Sequence, residues 1–337
     1  MSAPAHTAPA ALSPAVRDRA DRAALLLPLL LVLFFGSGVS GLIYELVWLR
    51  FLALVFGVTI YAVATVLSAF MGGLALGGYL AGRVADRIKR PLRAYGILEL
   101  GIGISALLTP PAFGVLQGVY RELYPGLPHD LTSLSLVRFA LACVILLVPT
   151  TLMGATLPIV IRSTLNRSVS LGTNLSLLYA SNTAGGITGA YLAGFILIGA
   201  IGVRATTVTA AVINVAVGVL AIAVDWWLTR EPLPLEEAAR RAGEGSAGAR
   251  TMGRPHPDPL PTGEGIGAGA QRLLLVAFFV SGFASLGYQV IWTRILAIYF
   301  EATTYAFTLI LCTFLLGIAA GSYLVAPLIN RRVNWLF

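Results

Sequence analysis

Charge is scarce in this sequence. Asp, Glu, Lys and Arg together make up 11% of the 337 residues, while 57% are hydrophobic and the mean hydropathy is +0.84. A water-soluble domain carries about a quarter charged residues, so the composition excludes a soluble enzyme and indicates a polytopic membrane protein. Cysteine is as sparse: Cys143 and Cys312 both fall inside apolar runs, with no disulfide or metal-ligand spacing. They read as small apolar packing residues. His6, His129 and His256 are scattered outside the apolar runs, so no metal site is indicated and no cofactor is expected. No glycine-rich strand–turn–helix fingerprint lies outside the apolar segments, and no nucleophile–histidine arrangement is visible. The net charge of +8 does not point to nucleic acid. The basic residues sit between apolar runs, where positive charge sets topology.

Long apolar runs are what the chain has in abundance. A helix needs about 20 apolar residues to cross the bilayer, and eight runs qualify: 24–46, 58–82, 94–118, 135–161, 172–200, 204–228, 271–297 and 302–328. Arg17, Arg19 and Arg22 before ALLLPLLLVLFF resemble the start of a signal peptide. The apolar stretch continues without a small-x-small cleavage site, so an uncleaved first helix is expected. Residues 1–22 are expected to form a disordered cytoplasmic N-terminus. The segment 47–57 is either interfacial or the end of a long first helix. With the N-terminus inside, 18 basic residues fall on the inner side and 5 on the outer. That bias places both termini in the cytoplasm.

Residues 34–87 and 278–331 align without a gap at 22 identical positions of 54. The pairs include Ser37/Ser281, Tyr44/Tyr288, Trp48/Trp292, Arg50/Arg294, Gly73/Gly317 and Gly77/Gly321. Six helices separate the two starts, so both copies enter the membrane in one direction. Parallel repeats of this kind join the two six-helix halves of major facilitator folds. The chain stops at Phe337, so a complete half (23–229) and two helices of a second, incomplete half (271–337) are expected. Between them, 230–270 is polar and rich in Gly, Pro and Ala, which predicts a flexible cytoplasmic linker. Within it, RPHPDPLPTGEG resembles a translated interspersed repeat of bacterial genomes.

Polar groups inside membrane spans are costly and therefore informative. Glu45 and Arg50 flank Trp48, and the cluster recurs as Gln289, Trp292 and Arg294. Two readings stand: an interfacial aromatic belt with snorkelling arginines, or a gate or solute-contact cluster at the outer mouth of a cavity. Glu99 either pairs with Arg87 or binds a cation. Asn182 serves interhelical hydrogen bonding or solute contact. Asp225, beside Trp226 and Trp227, reads as interfacial. Gly73, Gly77, Gly78 and Gly82 in the second run, with Gly317 and Gly321 in the last, are spaced for close helix packing. The loop GRVADRIKRPLR (82–93) resembles the conserved loop of the major facilitator superfamily, with Lys89 where that pattern has a second glycine. The resemblance implies that Asp86 and Arg87 form a charge relay, a conformational latch, with a neighbouring helix.

The segments SGVSGLIYELVWLRFLALVFG, AFMGGLALGGYLAGRVADR, LLVPTTLMGATLPIVIR, LLYASNTAGGITGAYLAGFILIGAIG and SGFASLGYQVIWTRILAIYF together resemble the membrane region of bacterial membrane-bound, spermidine synthase-like proteins. That family fuses facilitator-like helices to an aminopropyltransferase domain. The catalytic domain's Gly-rich loop and acidic residues are not in this chain, so no catalytic residue carries over and enzymatic activity is not expected. The sequence reading is an all-α membrane protein of about eight helices that contacts the lipid bilayer and binds or moves a small polar or cationic solute, with a polyamine implied by the resemblance. The alternatives are a non-transporting anchor or scaffold for an aminopropyltransferase domain, and a nonfunctional fragment of a longer fusion.

Overall fold

The computed structural model describes residues 14–56, 60–165, 171–229, 268–300 and 303–330. The linker expected at 230–270 lies outside them up to residue 267, as do the N-terminal 13 residues and the segment after Asn330. Among the described residues the chain is almost wholly helical and no strand occurs.

Helix α1 runs from Pro14 to Phe56. Its start shows that residues 14–22, expected to be disordered, are helical. Proline suits the first turn of a helix, and the Ala-rich stretch after it favours propagation. Its far end shows that 47–56 continues the first helix. Helix α2 (Ile60–Val84) closes in a 3-10 turn over Ala85–Arg87. The expected single run 94–118 is two helices, α3 (Pro91–Leu107) and α4 (Thr109–Leu123), bent by 43°. The bend falls where Thr109-Pro110-Pro111 interrupts the backbone donors. Helix α5 (Leu131–Leu165) follows, and then α6 (Leu171–Tyr191), which passes through a π-helical segment, Leu192–Leu197, into α7 (Ile198–Thr229). The break expected between 200 and 204 is instead a kink at Gly202, with φ +79° and ψ 167°. Only glycine adopts that conformation readily. Helices α8 (Ala268–Phe300) and α9 (Thr303–Asn330) form the last pair. Among the described residues, six helical stretches are long and apolar enough to cross a membrane, and seven if α3 and α4 count as one span.

The most extensive pairings are α2 with α5, α1 with α6, and α3 with α7. Small residues explain the first two. A Cβ on Gly77 would run into the Thr151 carbonyl and the Ala155 nitrogen, and one on Gly154 into the Leu74 backbone. Gly38 lies equally close to the Asn182 carbonyl, and Gly185 and Gly189 to the backbone at Phe35 and Val39. Hydrogen bonds reinforce the second pairing: Ser181 Oγ donates to the Leu31 carbonyl at 2.7 Å, and Asn182 Nδ2 to the Phe34 carbonyl at 3.1 Å. Such side-chain bonds across helices, with close backbone approach, are the means of association where lipid removes the hydrophobic driving force. One apolar core surrounds Trp48, Phe70, Phe113, Leu146 and Phe307, and a second surrounds Leu30, Leu33, Tyr95 and Leu178. Helix α9 packs on α8, on α6 and on the π-helical segment. Helix α8 is mostly exposed, with Gln289 and Thr293 as its only buried residues among those described.

Candidate functional site

Two fully buried carboxylates lie in the first part of the bundle, and their surroundings differ. Glu45 on α1 has no solvent exposure, and neither of its oxygens has a hydrogen-bond partner. Tyr44 stacks on Trp48 with ring centres 5.5 Å apart and planes 12° from parallel. The Trp48 Nε1–H donates to Thr109 Oγ1 at 3.0 Å, and Thr109 in turn donates to the Ala106 carbonyl at 2.7 Å. The indole is thus fixed to the α3–α4 bend. Tyr44 and Trp48 are enclosed by protein, not set at the surface as a headgroup belt requires.

The second copy of the cluster sits in a different environment. Tyr288 is 59% exposed and Trp292 50%. Arg294 is exposed as well, whereas half-buried Arg50 donates from Nη1 to Thr304 Oγ1 at 3.3 Å and so ties α1 to the start of α9. Gln289 alone keeps the burial of its counterpart Glu45, at 5% exposure, and its Nε2 has no partner. The difference has a packing cause. Helix α1 is covered by α6 and α7, and no equivalent helices cover α8 among the described residues.

Glu99 on α3 is the second carboxylate, also without solvent exposure. It does not pair with Arg87, which is exposed. Ser37 Oγ of α1 donates to Glu99 Oε1 at 2.6 Å, and Asn214 Nδ2 of α7 donates to Oε2. Tyr95, one turn before Glu99, donates to the Leu33 carbonyl at 3.3 Å. The Tyr44 hydroxyl and Asn214 Oδ1 are buried nearby without partners. Sequence reading missed Ser37, Tyr95 and Asn214. Ser37 had a signal, its recurrence as Ser281; Asn214, a lone amide in an apolar run, had another.

The remaining candidates are dispersed. Asn182 is held by the Phe34 carbonyl. Asp86, with 84% of its side chain exposed, faces Arg162 of α5 at 3.6 Å, so its partner on a neighbouring helix is Arg162, and Arg87 takes no part in that pair. Asp225 is buried and faces Arg90 at 3.7 Å. Gly73 and Gly77 lie against α5, and Gly78 makes an ordinary contact with the Gly154 carbonyl, at 3.7 Å for a Cβ placed there. Gly82, Gly317 and Gly321, expected to pack, have nothing within 4 Å of where a Cβ would stand. They lie on helix faces that no described element covers. An open groove of about 310 Å³ between α2 and α5, beside Tyr61, Thr65 and Ser68, is lined by none of the candidate residues. No family model matches the chain, and neither a curated protein nor a solved structure was found to be similar to it.

Proposed function

We propose that the chain is a facilitator-like membrane module that binds or moves a small polar solute, with a polyamine-type cation as the first candidate. The supporting observation is one repeat position that is buried, polar and unsatisfied in both copies: Glu45 in the first and Gln289 in the second. An enclosed carboxylate with no partner costs several kcal/mol if ionised. Membrane proteins keep such groups where a solute or ion must pass. An ammonium group supplies both the charge and the donors that the Glu45 oxygens lack.

The eight-crossing, two-lobed reading belongs to the same proposal. The stretch Leu175–Thr229 has 55 residues. At 1.5 Å per residue it is ~82 Å long, against a hydrocarbon core of about 30 Å. It therefore serves as two crossings turned at Gly202, and α3 with α4 serves as one. Contact of α9 with α6 supports an interface between halves, about which facilitator folds rock. Positive-inside bias supports a cytoplasmic location for both ends, and the resemblance to bacterial proteins supports an inner membrane.

The test is equilibrium binding of spermidine and putrescine to the purified protein in nanodiscs, with Glu45→Gln as control. Saturable binding, weakened tenfold or more (~1.4 kcal/mol) in the variant, is expected. A folded protein that binds neither amine overturns the solute reading and leaves that of a non-transporting anchor for an aminopropyltransferase domain.

A further inference from the structure

Glu99 differs from Glu45 in that its two oxygens are bonded, yet only to neutral groups. Ser37 and Asn214 each donate to one oxygen. Among the described side chains, basic and acidic groups on the packed helices are engaged or placed elsewhere. On α1, Arg50 bonds Thr304. On α5, Arg138 bonds Tyr120, and Arg162 faces Asp86. On α7, Arg204 is exposed, and Asp225 faces Arg90. Among the described residues, the titratable groups that do face Glu99 are Tyr44 and Tyr95. A carboxylate without a counter-charge in this setting is far more costly than a carboxylic acid, because desolvation penalises only the charged form.

On the α7 side the site is closed by a helix crossing. Along α7 the buried positions Asn214, Gly218, Ala221 and Asp225 form one face, which meets α3 at Gly96. There the backbones are so close that a Cβ on Gly96 would stand 2.7 Å from the Gly218 carbonyl oxygen, and one on Gly218 2.7 Å from that of Gly96. This crossing lies between Glu99 and the Asp225–Arg90 pair at the helix ends. That crossing separates Glu99 from the pair while α3 and α7 stay in contact.

We propose that Glu99, Ser37 and Asn214 form a buried proton-binding site, whose proton is exchanged when α3 and α7 part. Asn214 is suited to both states. Its amide nitrogen donates to the carboxylate, and a flip presents Oδ1, now without a partner, to accept from the carboxylic acid. Binding and release are then a single transfer: the proton leaves the Glu99 hydroxyl for water admitted by the opening, and the amide turns to meet the carboxylate. The site does not rest on the solute reading of Glu45.

The experiment is infrared difference spectroscopy of the full chain in lipid nanodiscs, titrated from neutral to alkaline pH in H2O and in D2O. Wild type and Glu45→Gln are expected to share a protonated-carboxyl C=O band that Glu99→Gln lacks, with slow deuterium exchange. Asn214→Leu, which keeps the acid and removes its partner, is expected to move that band to higher frequency. Identical carboxyl bands in wild type and Glu99→Gln would overturn the proposal. So would an unmoved band in Asn214→Leu. A Glu99 carboxylate band that responds to sodium at constant pH would also overturn it, assigning a metal cation instead.

Discussion

The glycines of α2 divide into those that touch α5 and those that touch nothing, and one pair of variants separates the two classes. A methyl group at position 77 would collide with the Thr151 carbonyl and the Ala155 nitrogen, while at position 82 it would meet open space. The obstacle at 77 is helix backbone, which cannot rotate away as a side-chain end does. Helices α2 and α5 must therefore separate locally, and overpacking of this kind costs about 1–3 kcal/mol. Replacing helical glycine by alanine also changes backbone entropy, by roughly 0.5–1 kcal/mol in favour of alanine. That contribution is common to both sites and cancels in the comparison. Gly77→Ala is thus expected to be less stable than Gly82→Ala by about 1–3 kcal/mol, with Gly82→Ala at or above wild type. Equilibrium unfolding in mixed detergent micelles reads the difference through Trp48, which is buried and lies 6.2 Å, ring to ring, from Phe70 on α2. Equal unfolding midpoints and slopes for the two variants would refute the close-packing account of the α2–α5 interface.

Two further outcomes follow from backbone geometry. Gly202→Ala places a side chain at φ +79° and ψ 167°, a conformation essentially restricted to glycine; a loss of about 1–3 kcal/mol is expected in the same unfolding assay. Asp130 caps α5 by accepting the Ser133 backbone N–H at 2.9 Å, and that bond holds its carboxyl below the ordinary aspartate range. A carboxyl depressed in the folded state stabilises above its unfolded value, and the effect is lost as pH falls through the folded value. Amide exchange at residues 132–134, measured by mass spectrometry and corrected for the intrinsic pH dependence, should lose protection on acidification. Asp130→Ala should remove that acid step.

Long elements were legible in the sequence because a bilayer demands long apolar runs, and the chain's low charge leaves those runs uninterrupted. The Thr109-Pro110-Pro111 bend was also written there, although a hydropathy window passes over it. The environment of each repeat copy was not legible. Trp48 and Trp292 occupy equivalent positions, yet one is enclosed and the other half exposed, because burial depends on which helices return to cover them. Glycine spacing misled in the same way: Gly73 and Gly317 match, but only the first has a neighbour. The partners of Glu99 stand 62 and 115 residues away, beyond the reach of any local pattern. A buried acid was readable as a candidate; the groups that determine its protonation were not.

The bonds that tie α6 to α1 span the chain from Phe34 to Asn182, 148 residues apart. At ~5–20 residues per second, roughly 7–30 s of synthesis separate the emergence of the two partners. Through that interval the first helix is in the bilayer without its companion. Its glycine face is uncovered, Ser37 waits for Glu99, 62 residues on, and Asn214, which completes the Glu99 site, is still later to arrive. Substitutions on the α1 face that meets Gly185 and Gly189 would thus act during biosynthesis, through capture by quality control, before they act on the finished protein.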